Sequence, residues 1–335
     1  MAHHIVRYGL LSTAQIGLNA HLPASRESKT SEIVSISSRT IEKAKQIAQT
    51  HNIDRWYGSY AEQLMDPDID AIINSLPNSM HCEWTVRAAE AGKHVLCEKP
   101  LAVSAEECQR MIDAANANNV VLVEAFTHRW NPHIRKARQL LAEGAIGEIQ
   151  TVDSALCFNV IEPDGNIRFS EALAGGALWD AGSYAVYAVR FVMSAEPTHV
   201  IGYSHDSGNW GVDTTFSGTM KFNNGAIGNI TTNMQQPFRC FITIHGSAGQ
   251  IEIPNMFDDS GPIVIKRGDG RTSRDEQVIA VPAPNRFVVQ LDEFTQCVLT
   301  GEKPEFPAED GLANTTVLEA LYESANSGAS VSLGL

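Results

Sequence analysis

The stretch "IVRYGLLSTAQIGLNAHLPAS" (5–25) decides the fold. Residues 5–11 are an apolar run that reads as a buried strand, and "AQIGLNAHLPAS" (14–25) opens a helix after a tight turn. The same alternation continues outward. "SEIVSISSR" (31–39) is a second strand and "TIEKAKQIAQT" (40–50) a helix. "YGSYAEQLMDPDI" carries a short helix, "DAIINSLP" (70–77) is a strand, and "HCEWTVRAAEAG" (81–92) is a helix ended by Gly92. "HVLCEK", a helix over 104–118 and "VVLVEAF" (120–126) complete the series. Strands and helices joined by short links predict right-handed βαβ units and a parallel, doubly wound sheet.

From about residue 147 the pattern changes. "GEIQTVDSALCFNV", "THVIGYSHD", "TTFSGTMKFNNG", "AIGNITTNM" and "RCFITIHGSAGQIEI" are longer and β-rich, with "NNG" and "SAGQ" placed as hairpin turns. They predict an open, largely antiparallel sheet, with helices near 128–142, 176–193, 285–300 and 308–327. The expected division is an α/β first domain over 1–124 and an α/β second domain over 125–335.

The turn after the first strand resembles a dinucleotide-binding loop. The Gly-x-Gly-x-x-Gly frame appears as Ser12-x-Ala14-x-x-Gly17, so Ser12, Thr13, Ala14, Gln15 and Ile16 are the candidate pyrophosphate contacts. Small residues let the backbone come close to phosphate, and the helix behind supplies N–H groups and a partial positive charge. A tight strand–helix turn in any α/β protein shares this outline. The end of the second strand adds to it. Where an NAD-binding domain offers a carboxylate to the ribose, this chain offers Ser37-Ser38-Arg39-Thr40. Arg39 can pair with a 2′-phosphate bidentately and Ser38 can donate to it, so NADP(H) is expected over NAD(H). The plainer alternative is that Arg39 begins a solvated helical turn.

Bulk composition limits the partners. Across 335 residues, 25 Lys+Arg oppose 39 Asp+Glu, for a net charge of −14. A chain this acidic, without a long basic run, fits neither nucleic acid nor an anionic membrane. Six scattered cysteines form no C-x-x-C pair and no metal-ligand spacing, which reads as a reduced, cytoplasmic protein with no metal. The N-terminus lacks the apolar core of a signal peptide or anchor, and His3 and His4 read as a disordered tip.

A second stretch carries chemistry. In "KHVLCEKPLAVS" (93–104) a buried strand ends in Glu98-Lys99-Pro100. One reading is a surface ion pair at a strand end, which contributes little. The other is a catalytic lysine held at the mouth of a cleft.

With the dinucleotide loop, "LPNSMHCEW" (76–84), "GKHVLCEKPLA" (92–102), "EAFTHRWNP" (124–132) and "GGALWDAGSYAV" (175–186) in this order, the whole chain resembles the Gfo/Idh/MocA oxidoreductases. The resemblance implies a Rossmann domain followed by a substrate-binding α/β domain whose open sheet forms a homodimer or homotetramer interface. It implies nicotinamide chemistry on sugars, polyols and related hydroxy compounds. It makes Lys99 an active-site lysine, gives Glu98 the role of orienting the loop, and places Pro77, Asn78 and His81 along the cofactor groove. The Lys99–Pro100 bond is expected to be cis, at a cost proline limits to about 0.5–1 kcal/mol. Many members read Asp-x-Gly-x-His where this chain has Asp180-Ala181-Gly182-Ser183-Tyr184. Tyrosine in the histidine's place is similar to the branch with dimeric dihydrodiol dehydrogenases and NADP-dependent xylose and glucose dehydrogenases. Arg129 and Pro132 match that branch too, and Arg129 joins the expected cofactor contacts.

Asp180 and Tyr184 are four apart, so a helix puts both on one face. As bare residues, Tyr184 reads equally as a buried aromatic and Asp180 as a carboxylate at a helix N-terminus. As a site, Tyr184 is the expected acid/base and Lys99 the cation that lowers its pKa and polarises the substrate oxygen. Asp180 holds a neighbouring hydroxyl. The roles of Lys99 and Tyr184 are interchangeable on sequence alone. Two other function classes stay open: a non-catalytic NADP-binding sensor, and a glycoside-cleaving relative with tightly held nucleotide. Loops 160–175 and 205–212 are the expected specificity elements.

Overall fold

Strand β1 (Val6–Leu11) is apolar along nearly its whole length because its sheet is covered on both faces, as parallel sheets are. A π turn (Gly17–His21) runs from its loop into α1 (Leu22–Glu27). There follow β2 (Ser31–Ser37), α2 (Ile41–His51), β3 (Arg55–Tyr57), α3 (Tyr60–Leu64), β4 (Ala71–Asn74), α4 (His81–Glu90), β5 (His94–Glu98), α5 (Ala105–Ala117) and β6 (Leu122–Ala125). All five strand pairings are parallel, in the order β3-β2-β1-β4-β5-β6. Alternation along each strand feeds two cores. Ile72 and Val95 join Cys108 and Met111 on one face, while Ile73 and Leu96 join Leu18 and Leu22 on the other. This computed structural model describes residues 5–256, 261–268, 275–282 and 284–334; His3 and His4 lie outside the described residues.

The chain forms two compact units, one from 1–127 with 284–312 and the other from 128–283 with 313–335. In the second, α6 (Pro132–Ala142) is followed by β7 (Ile149–Asn159) and α7 (Ser183–Met193). The strands continue as β8 (His199–His205), β9 (Thr215–Lys221), β10 (Ile227–Asn233), β11 (Gln235–Gly246), β12 (Gly249–Ile253), β13 (Ile263–Arg267) and β14 (Asp275–Ile279). After them come α8 (Arg286–Thr300), α9 (Ala308–Ser327) and β15 (Val331–Ser332).

The nine-stranded sheet runs β14-β13-β12-β11-β7-β10-β9-β8-β15, antiparallel except between β7 and β10. "NNG" and "SAGQ" do connect antiparallel neighbours, β9 with β10 and β11 with β12. One face is buried: Phe216, Gly218 and Met220 on β9, Gly228, Ile230 and Thr232 on β10. The other carries Ser217, Thr219, Asn229 and Thr231; on it Thr219 donates to Asn229 (3.0 Å) and Asn229 to Asp153 (3.0 Å).

Helix α8 groups with the first unit although it lies far along the chain. Its Leu291 and Phe294 enter the core around Tyr8, Leu10 and Ile33, Thr295 hydrogen-bonds the Tyr8 hydroxyl at 2.6 Å, and Ser28 donates to Asp292 at 2.5 Å. Among the described residues no helix is long and apolar enough to cross a membrane.

Candidate active site

In a doubly wound sheet a ligand binds outside the carboxyl ends of the strands, where the strand order reverses. Here the reversal falls between β1 and β4. Ser12, Ser38, Pro77 and Lys99 follow β1, β2, β4 and β5, so the sequence candidates of this unit stand along that one edge.

Ser12 adopts φ +85°, the left-handed conformation for which a glycine is the usual choice. Its hydroxyl compensates locally, donating to Ser75 O (3.0 Å) and accepting from the Ala14 N–H (3.2 Å). The turn therefore keeps a glycine-like path and is tied across the reversal to the loop after β4. Thr13 and Ala14 are half-buried, while Gln15 and Ile16 are exposed. Ser38 is buried with its N–H on Tyr57 O (3.1 Å), and Arg39 is exposed beside it. Small side chains at the turn, the N–H groups of the first helical turn and an exposed edge cation that pairs with no carboxylate among the described residues fit a dinucleotide phosphate.

The Glu98-Lys99-Pro100 loop is held by buried groups on every side. The Lys99–Pro100 bond is cis. Glu98, 8% exposed, accepts from Lys99 N–H (3.3 Å) and pairs with His21 Nε2 at 2.7 Å. Glu124, 2% exposed, accepts from Leu101 N–H (2.8 Å). His81 is fully buried, with Nδ1 2.8 Å from Pro100 O and Nε2 2.9 Å from Leu76 O. Burial pushes its pKa below the usual range, the two carbonyls and Glu98 opposing that. A neutral ring donates from one nitrogen only, so His81 braces the loop against the end of β4. Pro77 and Asn78 begin the short 3-10 turn between them. Backbone groups of residues 99, 100 and 101 are all pinned, while the Lys99 side chain remains half-buried.

In the second unit, the helix expected over 176–193 starts as a π turn (Leu178–Gly182) and becomes α-helical at Ser183. π turns gather at functional sites. Asp180 and Tyr184, both half-buried, are on this segment. Asp180 accepts from Arg168 Nε at 2.6 Å, and the Tyr184 ring meets the His128 ring edge-on at 5.2 Å. Arg129 is 1% exposed, its guanidinium over the Tyr187 ring at 5.4 Å. Nearby Asn131 caps α6, accepting from His133 N–H (2.9 Å).

The π turn is anchored by Asp213. Its carboxylate accepts from Leu178 N–H (2.8 Å) and Tyr322 OH (2.6 Å), and its carbonyl accepts from Ala177 N–H (2.8 Å). Gly176, at φ +124°, passes so close that an added Cβ lies 2.4 Å from the Asp213 carboxylate. Burial pushes Asp213 up to about 6, its hydrogen bonds holding it below a still higher value. Arg168, His128 and Asp213 were not singled out from sequence. His128 lies inside "EAFTHRWNP" and was within reach; Arg168 and Asp213 sit in loops without a motif.

Residues 6–126 match the oxidoreductase family with an NAD-binding Rossmann fold, and residues 134–252 match the GFO/IDH/MocA C-terminal domain. The chain is 32% identical to the D-xylose 1-dehydrogenase (NADP(+)) 2 of Haloferax volcanii, over 97% of this chain and 99% of that protein. It is 28% identical to the trans-1,2-dihydrobenzene-1,2-diol dehydrogenase of Xenopus laevis, over 95% and 97%. Its fold is similar to that of the aldose-aldose oxidoreductase from Caulobacter crescentus complexed with glycerol, at a TM-score of 0.88 and 29% identity, covering 98% of this chain and all of that one (100%). With a parallel sheet whose order reverses at the Ser12 turn, a pinned Glu-Lys-Pro loop and matches along both units, the chain belongs to the Gfo/Idh/MocA family of NAD(P)-dependent oxidoreductases.

Proposed function

We propose that the protein transfers hydride between NADP(H) and a sugar or cyclic polyol, as an aldose 1-dehydrogenase or a sugar-ketone reductase. The observation that carries this is the Glu98-Lys99-Pro100 loop: three buried side chains, Glu98, His81 and Glu124, fix its backbone, yet Lys99 itself is only half-buried. A surface ion pair needs no such support.

When bound, the nicotinamide supplies the hydride acceptor or donor. The chain's own residues do the rest. Tyr184 exchanges the hydroxyl proton of the substrate. A free phenol, at a pKa of about 10, is a poor base near neutrality, and a cation beside it favours phenolate. Lys99 is assigned to that cation and to the substrate oxygen. Asp180 accepts from a neighbouring hydroxyl. Ser12, Thr13, Ala14, Gln15 and Ile16 hold the pyrophosphate, and Ser38 and Arg39 hold the 2′-phosphate. Pro77, Asn78, His81, Glu98 and Arg129 shape or brace the cofactor's site.

Two further assignments belong to this reading. The Thr/Ser/Asn face of β9 and β10 forms a homodimer or homotetramer contact, an isologous use of one surface. The six free, buried cysteines suit a reducing, cytoplasmic setting. The test is incubation with NADP+ or NAD+ and a panel of aldoses and polyols, followed by absorbance of the reduced nucleotide. No turnover with nucleotide bound favours a sensor, and oxidised nucleotide that copurifies and never exchanges favours glycoside cleavage.

A further inference from the structure

Arg168 lies in the 160–175 loop, on a 3-10 turn (Ile167–Phe169) capped by Asn166, whose side chain accepts from Arg168 N–H at 3.1 Å. Its carbonyl accepts from Gly176 N–H at 2.9 Å, and Gly175 packs so tightly that an added Cβ lies 2.4 Å from Arg168 O. The backbone beneath this arginine is thus fixed from both sides. The side chain crosses the Phe158 ring at 5.9 Å and donates from Nε to Asp180 Oδ2 at 2.6 Å. Among the described residues its two terminal nitrogens make no hydrogen bond, and the side chain is 42% exposed. The loop has spent one donor on Asp180 and holds out the rest.

We propose that Arg168 is a substrate-binding residue: with Asp180 it forms a net-neutral donor–acceptor edge that grips two neighbouring hydroxyls of a neutral polyol and disfavours carboxylated sugars. The inference rests on the oxidoreductase reading above. A hydroxyl both accepts and donates, so one can take a proton from a guanidinium nitrogen while giving its own to a carboxylate. A carboxylate has about four acceptor positions and can serve several donors at once. A sugar carboxylate only accepts, and Asp180 already compensates the Arg168 charge, so such a group meets no net positive charge at this edge. Asp180 raises the Arg168 pKa above its usual range, against burial, with Tyr184 adding to the effect, so the guanidinium stays charged throughout.

The test is steady-state kinetics with D-xylose, D-glucose and D-glucuronate on wild type, Arg168→Met, Arg168→Lys and Asp180→Asn, with melting curves and NADP+ binding alongside. Loss of a charged hydrogen bond predicts that Arg168→Met raises KM for the neutral aldoses about 10–100-fold. Arg168→Lys should recover part of that, with NADP+ binding unchanged in both. Asp180→Asn leaves the arginine uncompensated and should raise kcat/KM for D-glucuronate relative to D-xylose about tenfold or more. If melting shows Arg168→Met to be unfolded, the Lys and Asn variants decide. An aldose KM within about twofold of wild type in folded Arg168→Met, or an unchanged glucuronate ratio in Asp180→Asn, overturns the inference while wild-type turnover keeps the oxidoreductase reading. Wild-type turnover of glucuronate alone overturns it in the same way. No wild-type turnover of any sugar overturns both.

Discussion

Asp213→Asn removes a buried acid whose pH behaviour can be worked out in advance. The folded state raises the carboxyl from 3.8 to about 6, so folding favours the protonated form. Stability from this group is present in full below the unfolded pKa and is lost as pH rises through 6. Linkage gives a total of about 3 kcal/mol, and a difference of about 1.4 kcal/mol between about pH 5 and about pH 7.5. Tyr322 does not complicate this window, because burial first and Asp213 second push its hydroxyl well above the usual range. Asparagine can keep both contacts: its oxygen accepts from Leu178 N–H, and its amide donates to the Tyr322 oxygen. Urea denaturation of the two proteins in parallel, with amide exchange at Leu178 as the local probe, measures the outcome. Wild type should gain about 1.4 kcal/mol on the variant when pH falls from about 7.5 to about 5. Parallel pH profiles, or a wild type that gains on the variant as pH rises, refute the reasoning.

Gly176→Ala should destabilise the second unit by about 2–4 kcal/mol in urea titration, since its Cβ strikes Asp213 and its φ is +124°. Lys99→Met should lower turnover about 10²–10⁴-fold with NADP+ still bound, and Tyr184→Phe similarly, with the double variant far less than multiplicative in kinetic assays. Near-wild-type turnover in Lys99→Met leaves the strand-end ion pair as the better account. Arg39→Asp should reverse the nucleotide preference, mainly through KM for NADP+; equal use of NADP+ and NAD+ by wild type contradicts the assignment of Ser38 and Arg39. Light scattering at micromolar concentration should give a multiple of the 36.4 kDa chain, and a monomer mass contradicts the sheet-face contact.

The first sheet was legible because its signals are local. Continuous apolar runs mark the strands and Gly92 marks the end of α4, while the structure adds that Ser104 caps α5, accepting from Glu107 N–H at 3.1 Å. The Glu-Lys-Pro loop stood out in the sequence as a charged pair closing a buried strand, but its residues alone left a surface ion pair open, and it was the resemblance that singled out Lys99. Short edge strands were not: β3 has three residues and β15 two, too few for a period to show.

By itself, then, the sequence determined the alternating βαβ order, the meander that follows it, the small-residue turn at Ser12 and the positions of Lys99, Asp180 and Tyr184. Only the tertiary structure decided what those residues lean on. Glu98 on His21, His81 on Pro100, Arg168 on Asp180 and Tyr322 on Asp213 are separated by 77, 19, 12 and 109 positions. No period or capping rule reaches across such gaps. The same holds for α8, whose amphipathic pattern announces a helix but not the sheet face it covers. Local patterns report the backbone's preferences; partners are selected by the cost of leaving a buried polar or apolar group unmatched, and that cost exists only once the chain has folded.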